Sequence, residues 1–168
     1  MTHRTYNAAI LTISDRGSRG ERQDETGPEI QRIISSTGWR VAAKNTVPDE
    51  IEAIAERLIH YADVMQLDLV LTTGGTGLSP RDVTPEATRS IIQREIPGMS
   101  QAMVARGLNT TPHAMLSRAV CGTRGLTLII NLPGSPRGAR ENLKAILPAL
   151  PHAVDKLQGD PSECAVLD

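Results

Sequence analysis

Aromatic side chains are almost missing from this chain of 168 residues. It has no phenylalanine, one tryptophan (Trp39) and two tyrosines (Tyr6 and Tyr61). Its core must therefore consist mainly of aliphatic side chains. Proteins that bind single-stranded nucleic acid stack bases on aromatic rings, and nucleic-acid-binding domains in general carry a basic face. With so few rings and a formal net charge of −1, the chain is expected to have no nucleic-acid partner.

Cysteines and long apolar runs are scarce as well. Cys121 and Cys164 are far apart, with no CxxC motif and no histidine pair at metal-ligand spacing, which indicates neither a zinc site nor a disulfide framework. Cys121 lies beside an apolar strand and is predicted to be a small buried residue. No stretch reaches the roughly 20 apolar residues of a membrane span, and residues 1–6 contain no signal-peptide run. We therefore expect a soluble cytoplasmic protein with no membrane partner.

What the chain does have is a regular alternation of apolar strands and amphipathic helices. Strands are predicted at residues 8–14, 40–47, 67–72 and 126–130, and helices at 28–36, 51–59, 99–108 and 139–157. A further helix is predicted to begin with Thr84 as its cap and Pro85 at its first position. Pro148 and Pro151 should divide the last helix into two pieces. In the helix at 99–108, we expect Ala102, Met103 and Leu108 to face inward.

This alternation predicts one domain with a three-layer α/β/α fold and a mostly parallel central sheet. The core is expected at about residues 8–158, with a short loose tail at the carboxyl end. In such sheets the ligand lies at the carboxyl ends of the strands. The segments that follow the predicted strands, and should converge there, are residues 14–16, 48–50, 72–77 and 131–134.

The most informative segment is Thr72-Thr73-Gly74-Gly75-Thr76-Gly77, which follows an apolar strand. Glycines permit positive φ and bring backbone N–H groups close to a phosphate, while threonine hydroxyls add donors. Asp82 follows a few residues later and suggests a divalent cation, since hard cations prefer carboxylate and phosphate oxygens. The segment matches neither the P-loop nor the Rossmann fingerprint, so a simple tight turn between strand and helix is the alternative.

Two aspartates have ordinary structural explanations. Asp49 precedes a predicted helix that begins at Ile51, at a position typical of an N-cap. Asp82 follows Arg81 directly and could form an ion pair with it. The residues alone leave both alternatives open.

A resemblance to a known family adds to this interpretation. Eight motifs occur in order: Ser14-Asp15-Arg16, Pro48-Asp49-Glu50, TTGGTG at 72–77, RDVTPEAT at 81–88, Pro97-Gly98-Met99, Met115-Leu116-Ser117-Arg118, Gly122-Thr123-Arg124-Gly125 and INLPGSP at 130–136. Together they resemble the Mog-type molybdopterin adenylyltransferases, a group that includes the MoaB proteins and the G domain of gephyrin. The resemblance covers about residues 8–158.

The resemblance implies an enzyme of molybdenum cofactor biosynthesis that transfers AMP from ATP to the terminal phosphate of molybdopterin. Asp49 and Asp82 would be the catalytic carboxylates. Asp82 would bind Mg²⁺, and Asp49 would share that ion or orient the nucleophile. The residues implied to contact the substrates are Ser14, Asp15, Thr73, Gly74, Gly75, Thr76, Gly77, Pro97, Gly98, Met99, Ser117, Arg118, Asn131, Pro133, Gly134 and Ser135. For Arg118, a surface ion pair is the structural alternative.

The resemblance also implies partners and alternatives. Family members are commonly trimers, and the helix around Met99, Met103 and Leu108 could supply the interface or could simply pack into the core. A molybdate-inserting partner would be a separate protein. The alternative function is a non-catalytic molybdopterin carrier, although the retention of both Asp49 and Asp82 favours an active enzyme. A nucleotide hydrolase, as in the related competence-damage domains, is a third possibility.

Overall fold

A single six-stranded sheet forms the centre of the protein in the computed structural model, which describes residues 5–161. The strands are β1 (Asn7–Ile13), β2 (Arg40–Val47), β3 (Leu69–Thr73), β4 (Arg94–Glu95), β5 (Cys121–Arg124) and β6 (Thr127–Leu132). Their order across the sheet is β2-β1-β3-β6-β5-β4. The pairs β1/β2, β1/β3 and β3/β6 are parallel, and β5 is antiparallel to both β6 and β4. The predicted, mostly parallel sheet is confirmed.

Within residues 5–161, seven α-helices connect or flank these strands. They are α1 (Asp15–Ser18), α2 (Thr26–Ser36), α3 (Ile51–Ile59), α4 (Thr84–Ile91), α5 (Pro97–Leu108), α6 (Pro136–Ile146) and α7 (Leu150–Leu157). A π-helical turn at His60–Val64 extends α3, and short 3₁₀ segments lie at Pro112–Leu116 and Leu147–Ala149. The predicted division of the last helix is confirmed, because the second 3₁₀ segment contains Pro148 and α7 contains Pro151 in its first turn.

The core has two halves, one on each face of the sheet. In β1, Ala8 and Ile10 pack against α2, α5, α6 and α7, while Ala9 and Leu11 pack against α3 and α4. This alternation arises because successive side chains of a strand point to opposite faces of the sheet. Both faces of a parallel sheet are covered by helices, so both sets of side chains are buried. The three-layer α/β/α fold is therefore confirmed. Aliphatic residues dominate both halves, as expected from the composition.

Two of the three Trp and Tyr side chains and the described cysteine lie inside the protein. Tyr61 and Trp39 are buried, and Tyr6 stacks on Trp39 with the ring centroids 4.7 Å apart. Cys121 is buried as predicted, and this burial raises the pKa of its thiol to about 12. Cys164 lies outside the described residues, as does most of the predicted tail.

Within residues 5–161, no helix is both long enough and apolar enough to cross a membrane.

Strands β4 and β5 were not predicted from the sequence. β4 has only two residues, and β5 contains Gly122, which weakens any strand pattern. The structure explains this glycine, since a Cβ atom there would lie 2.6 Å from the carbonyl oxygen of Arg94 on β4. Only glycine permits this close approach of the two backbones.

The predicted inward face of α5 is partly wrong. Met103 is buried, but Ala102 is exposed and Leu108, the last helical residue, is 44% exposed. Only a narrow stripe of this helix faces the core. Fewer of its apolar side chains are therefore buried than their spacing in the sequence suggests.

Candidate functional site

The segments that follow four parallel strands converge at one edge of the sheet, as expected. The Ser14 N–H, after β1, donates to the Val47 carbonyl at the end of β2, at 2.9 Å. The Gly74 N–H, after β3, donates to the Leu132 carbonyl at the end of β6, at 3.2 Å. The Thr73 hydroxyl donates to the Pro133 carbonyl at 2.6 Å. Thr73 was predicted to hold a phosphate, and the structure uses its proton to join these two segments.

Two glycines give the loop after β3 its shape. Gly74 and Gly75 have φ values of +99° and +68°, as the glycine pattern predicts. A Cβ atom on Gly74 would lie 2.4 Å from the Ile13 carbonyl oxygen, and one on Gly75 would lie 2.3 Å from Thr84 Oγ1. The Thr84 hydroxyl itself donates to the Gly74 carbonyl at 2.8 Å. Thr84 was predicted to cap α4, but it is the first helical residue and its hydroxyl fixes the glycine loop.

This geometry yields a prediction with a matched control. Gly75→Ala should lower the free energy of unfolding by about 2–3 kcal/mol, because alanine must adopt positive φ and also meets the Thr84 hydroxyl. Gly20→Ala has nearly the same φ, +71°, and nothing within 4 Å of the added Cβ. It should cost only about 1 kcal/mol. If urea denaturation showed the same loss in free energy of unfolding for both variants, the contact with Thr84 would add nothing to the cost at Gly75.

Asp49 does not cap α3, so the N-cap interpretation is wrong. Glu50 occupies the cap position, with no side-chain hydrogen bond to the helix. The Asp49 carboxylate instead accepts from the Asp15 N–H at 2.8 Å, and the Asp49 N–H donates to the Asp15 carboxylate at 3.1 Å. The other carboxylate oxygen, Oδ1, lies 3.3 Å from the position a Cβ atom on Gly75 would take. Asp49 therefore faces the glycine loop.

Arg81 forms its ion pair with Asp15 and not, as the sequence alternative suggested, with Asp82. Its Nε and Nη2 donate to the two carboxylate oxygens of Asp15 at 3.0 and 2.8 Å. This bidentate contact, followed by the hydrogen bond from Asp49, lowers the pKa of Asp15. Asp15 was predicted to contact a substrate, and the structure shows it joining the segments after β1, β2 and β3.

Asp82 lies beside the last glycine of the loop. Its Oδ2 accepts from the Ser79 N–H at 3.0 Å and lies 2.9 Å from where a Cβ atom on Gly77 would be. The negative charge of Asp82 acts on the Asp49 carboxylate. Burial raises the pKa of Asp49 above its usual value, and the negative charges of Asp15 and Asp82 act in the same direction. The two carboxylates therefore favour a positive charge near the glycine loop.

Whether these carboxylates suit Mg²⁺ depends on their number. Within the described part of the chain, no group of three or more His, Cys, Asp or Glu side chains could hold a metal ion. Mg²⁺ typically uses only one or two protein carboxylates and completes its shell with substrate phosphates and water. Asp49, beside Gly75, and Asp82, beside Gly77, fit this limited role.

Two cavities flank the glycine loop. The apolar cavity, about 400 Å³, is lined by Thr76 and Gly77 of the loop and by α5, α6 and the segment 110–117. The polar cavity, about 320 Å³, is lined by Thr73 and Gly74 and by the segments after β1 and before α2. Ser135, the N-cap of α6, lines both. Both volumes fall at the lower end of the range for small-ligand sites.

Many of the predicted substrate residues line these cavities. The apolar cavity includes Thr76, Gly77, Ser117, Pro133 and Ser135, and the polar cavity includes Ser14, Thr73, Gly74, Gly134 and Ser135. Pro97, Gly98 and Met99 are placed elsewhere, in the first turn of α5, and Met99 packs against the core. Helix α5 lines the apolar cavity further along, through Met103, Val104 and Gly107.

Asn131 lies behind the site and not at its edge. Its side chain is fully buried in β6, where Nδ2 donates to the hydroxyls of Thr72 and Thr88 at 3.0 and 2.9 Å. Its Oδ1 accepts from the Val120 N–H at 3.1 Å. The side-chain amide is used inside the protein, so these contacts do not support the predicted substrate contact at Asn131.

This network makes Asn131 a stability residue. Asn131→Ala should lower the free energy of unfolding by about 2–3 kcal/mol, because the buried Val120 N–H loses its side-chain acceptor and both threonine hydroxyls lose a donor. Urea denaturation measures the loss. A change below about 0.5 kcal/mol, the usual range for surface substitutions, would contradict the structural role.

Arg118 contacts the loop that carries Asp82. Its Nε donates to the Gly77 carbonyl at 2.8 Å and its Nη2 to the Asp82 carbonyl at 2.7 Å, while Nη1 pairs with Glu86. The ion pair considered from the sequence is therefore present, together with two backbone contacts that it did not suggest.

Asp24 is a residue of the site that the sequence analysis missed. Its Oδ1 accepts from the N–H groups of Thr26 and Gly27 at 3.0 and 2.9 Å, and its Oδ2 accepts from the Thr12 hydroxyl at 2.6 Å. It thereby fixes the start of α2 beside the polar cavity. An aspartate shortly before a Gly-Pro pair is a helix-start signal and could have revealed it.

Comparisons with known proteins show which family this chain resembles. Residues 9–152 match the family described as "Probable molybdopterin binding domain". Gephyrin of Dictyostelium discoideum is 44% identical over 162 residues, a match that covers 90% of this chain but only 22% of gephyrin. The molybdopterin adenylyltransferase of Helicobacter pylori strain J99 is 42% identical over 158 residues, covering 93% of this chain and 90% of that enzyme. The crystal structure of the molybdopterin biosynthesis enzyme MoaB from Thermus thermophilus superimposes with a TM-score of 0.88 at 53% identity, covering 95% of this chain and 100% of that one.

Fold and site together define a class: a three-layer α/β protein with a glycine loop of positive φ, two nearby carboxylates and a cavity on each side. The matches above narrow that class. The chain belongs to the molybdopterin-binding domain family that contains the Mog and MoaB proteins.

Proposed function

We propose that this chain is a molybdopterin adenylyltransferase of molybdenum cofactor biosynthesis. It transfers AMP from ATP to the terminal phosphate of molybdopterin and releases pyrophosphate. The placement of both Asp49 and Asp82 beside the glycine loop carries this proposal. It is supported by relatives of that name at about 40% identity, such as the enzymes of Helicobacter pylori and Escherichia coli.

In this reaction, an oxygen of the molybdopterin phosphate attacks the α-phosphorus of ATP, and the bond to the β-phosphate breaks. Both partners are anions, so their meeting requires fixed dipoles and positive charge. We assign the phosphate contacts to the N–H groups of Gly75 and Gly77 and to Thr76, because the Gly74 N–H already donates to the Leu132 carbonyl. The two cavities beside this loop give room for the two ring systems, with the phosphates meeting between them.

Asp49 and Asp82 are proposed to hold Mg²⁺, which would offset the negative charge of the phosphates when bound. Asp49 is held by the Asp15 N–H, and Asp82 by the Ser79 N–H, so both carboxylates are oriented before any substrate arrives. Such preorganisation is what electrostatic catalysis requires.

Further properties are proposals supported by the resemblance. The resemblance implies a homotrimer. An oligomeric contact is supported by three exposed apolar side chains, Leu108, Met115 and Leu116, of which Leu116 lines the apolar cavity. A cytoplasmic location and hand-over of the product to a separate molybdate-inserting enzyme complete the proposal.

A non-catalytic molybdopterin carrier is the second candidate. It would use the same loop and cavities but would need no pair of carboxylates. Retention of Asp49 and Asp82 in oriented positions therefore favours the enzyme.

Pyrophosphate release distinguishes these functions in one assay. With ATP and Mg²⁺, the adenylyltransferase should release pyrophosphate only when molybdopterin is added, and adenylyl-molybdopterin should form in equal amount. A hydrolase would release a phosphate product without molybdopterin. Binding of molybdopterin with no pyrophosphate in any condition would overturn the proposed activity and favour the carrier.

A further inference from the structure

Arg118 spans the loop between the glycine turn and α4. Its backbone N–H donates to the Thr76 carbonyl at 3.0 Å, and its guanidinium reaches the carbonyls of Gly77 and Asp82 and the side chain of Glu86. These contacts hold both ends of the segment formed by residues 76–86. Each of the three guanidinium nitrogens already donates to this segment, so the side chain is engaged with the protein itself.

Three contacts orient Asp82 within this loop. Its side chain accepts from the Ser79 N–H, its own N–H donates to the Ser79 carbonyl at 2.9 Å, and its carbonyl accepts from Arg118. The first two close a local turn. Among these three, only the contact with Arg118 ties that turn to a distant segment, 36 residues further along the chain.

We propose that Arg118 is a positioning residue for the adenylyl transfer: it holds the Gly77–Asp82 loop so that the Asp82 carboxylate stays beside the glycine turn. This inference rests on the proposed function for its kinetic consequence. A planar guanidinium can donate to two carbonyls and a carboxylate at once, which the single ammonium of lysine cannot do in the same geometry. The role is therefore specific to arginine and not to positive charge alone.

The expected kinetic effect lies in kcat. Displacing a catalytic group by about 1 Å can cost about a hundredfold in rate. Arg118→Ala should lower kcat about 30-fold, and Arg118→Lys about fivefold, because lysine restores only part of the contacts. The KM values for ATP and molybdopterin should stay within about threefold, because Arg118 does not touch either substrate in this account.

Arg124 offers a matched control. Its Nη1 donates to the Ile91 carbonyl at 2.8 Å, and its Nε and Nη2 pair with Asp63 at 3.0 and 2.6 Å. It makes the same kind of contact as Arg118, but beside Thr127, at the end of β6 away from the site. Arg124→Ala should therefore leave kcat within about twofold once the folded fraction is taken into account.

A second measurement needs no substrate. In hydrogen–deuterium exchange of the free protein, Arg118→Ala should speed exchange of the Ser79 and Asp82 amides, whereas Arg124→Ala should leave them unchanged. A raised KM with unchanged kcat and unchanged exchange would make Arg118 a ligand contact and overturn the proposal. Unchanged kcat, KM and exchange would also overturn it. If Arg118→Ala does not fold, Arg118→Lys provides both measurements.

The two proposals fail in different ways. If the parent protein forms no adenylylated product, the proposed function is wrong, and exchange at Ser79 and Asp82 still decides whether Arg118 holds the loop. If the parent is active and the Arg118 variants match it in both measurements, only the positioning role is wrong.

Discussion

Asp82→Asn is expected to lower the turnover of adenylyl-molybdopterin by about two to three orders of magnitude, the loss typical for one preorganised electrostatic contact. The fold should survive. Asparagine can accept the same hydrogen bond from the Ser79 N–H, and Arg118 binds the Asp82 carbonyl, which the substitution leaves in place. What disappears is the negative charge beside Gly77, and with it one of the two proposed ligands for Mg²⁺.

Steady-state rates across a range of Mg²⁺ concentrations measure this effect. Asp63→Asn is the matched control, because it removes a carboxylate from the ion pair with Arg124, away from the site. The control should keep nearly the full rate, and thermal denaturation should find both variants folded. An Asp82→Asn protein that reaches the parent rate at saturating Mg²⁺ would remove Asp82 from the mechanism.

The parallel part of the fold could be predicted because its signals are local. β1, β2 and β3 lie within two residues of their predicted positions, since each sequence contains an apolar or β-branched run ended by polar residues or glycine. β4 and β5 lack such a signal. β5 forms because β6 offers it an edge, and Gly122 of β5 then permits the close approach of β4. Both edges exist only in the folded sheet.

The candidate site was predictable in its loops but not in its contacts. The glycine turn, with positive φ at Gly74 and Gly75, follows from residue type alone. The partner of Asp49 is Asp15, 34 residues away, so a local cap was the best that the chain pattern could offer. Asn131 ends an apolar run and therefore resembled a residue at the pocket edge, yet β6 continues through it and Thr72 and Thr88 bind its amide.

Two properties of Asp49 allow its effect on the stability of the protein to be separated from its proposed role in catalysis. Its Oδ2 accepts the Asp15 N–H, a contact that asparagine can also make. Its pKa is raised, chiefly by burial, so the folded protein binds this proton more tightly than the unfolded chain does. The free energy of unfolding therefore falls as pH rises through the range in which Asp49 ionises, and stays lower above it. An asparagine at this position carries no charge and escapes that loss.

We therefore expect Asp49→Asn to melt at or slightly above the parent temperature at neutral pH, to bind molybdopterin, and to form adenylyl-molybdopterin at least about a hundredfold more slowly. Asp49→Ala should be equally inactive but less stable by about 1 kcal/mol, because the Asp15 N–H loses its acceptor. Calorimetry measures the melting temperature of each variant. A titration measures molybdopterin binding, and product analysis measures the rate of adenylyl-molybdopterin formation. If Asp49→Asn kept the full rate, Asp49 would serve only to join the segments after β1 and β2, and Asp82 alone would supply the catalytic charge.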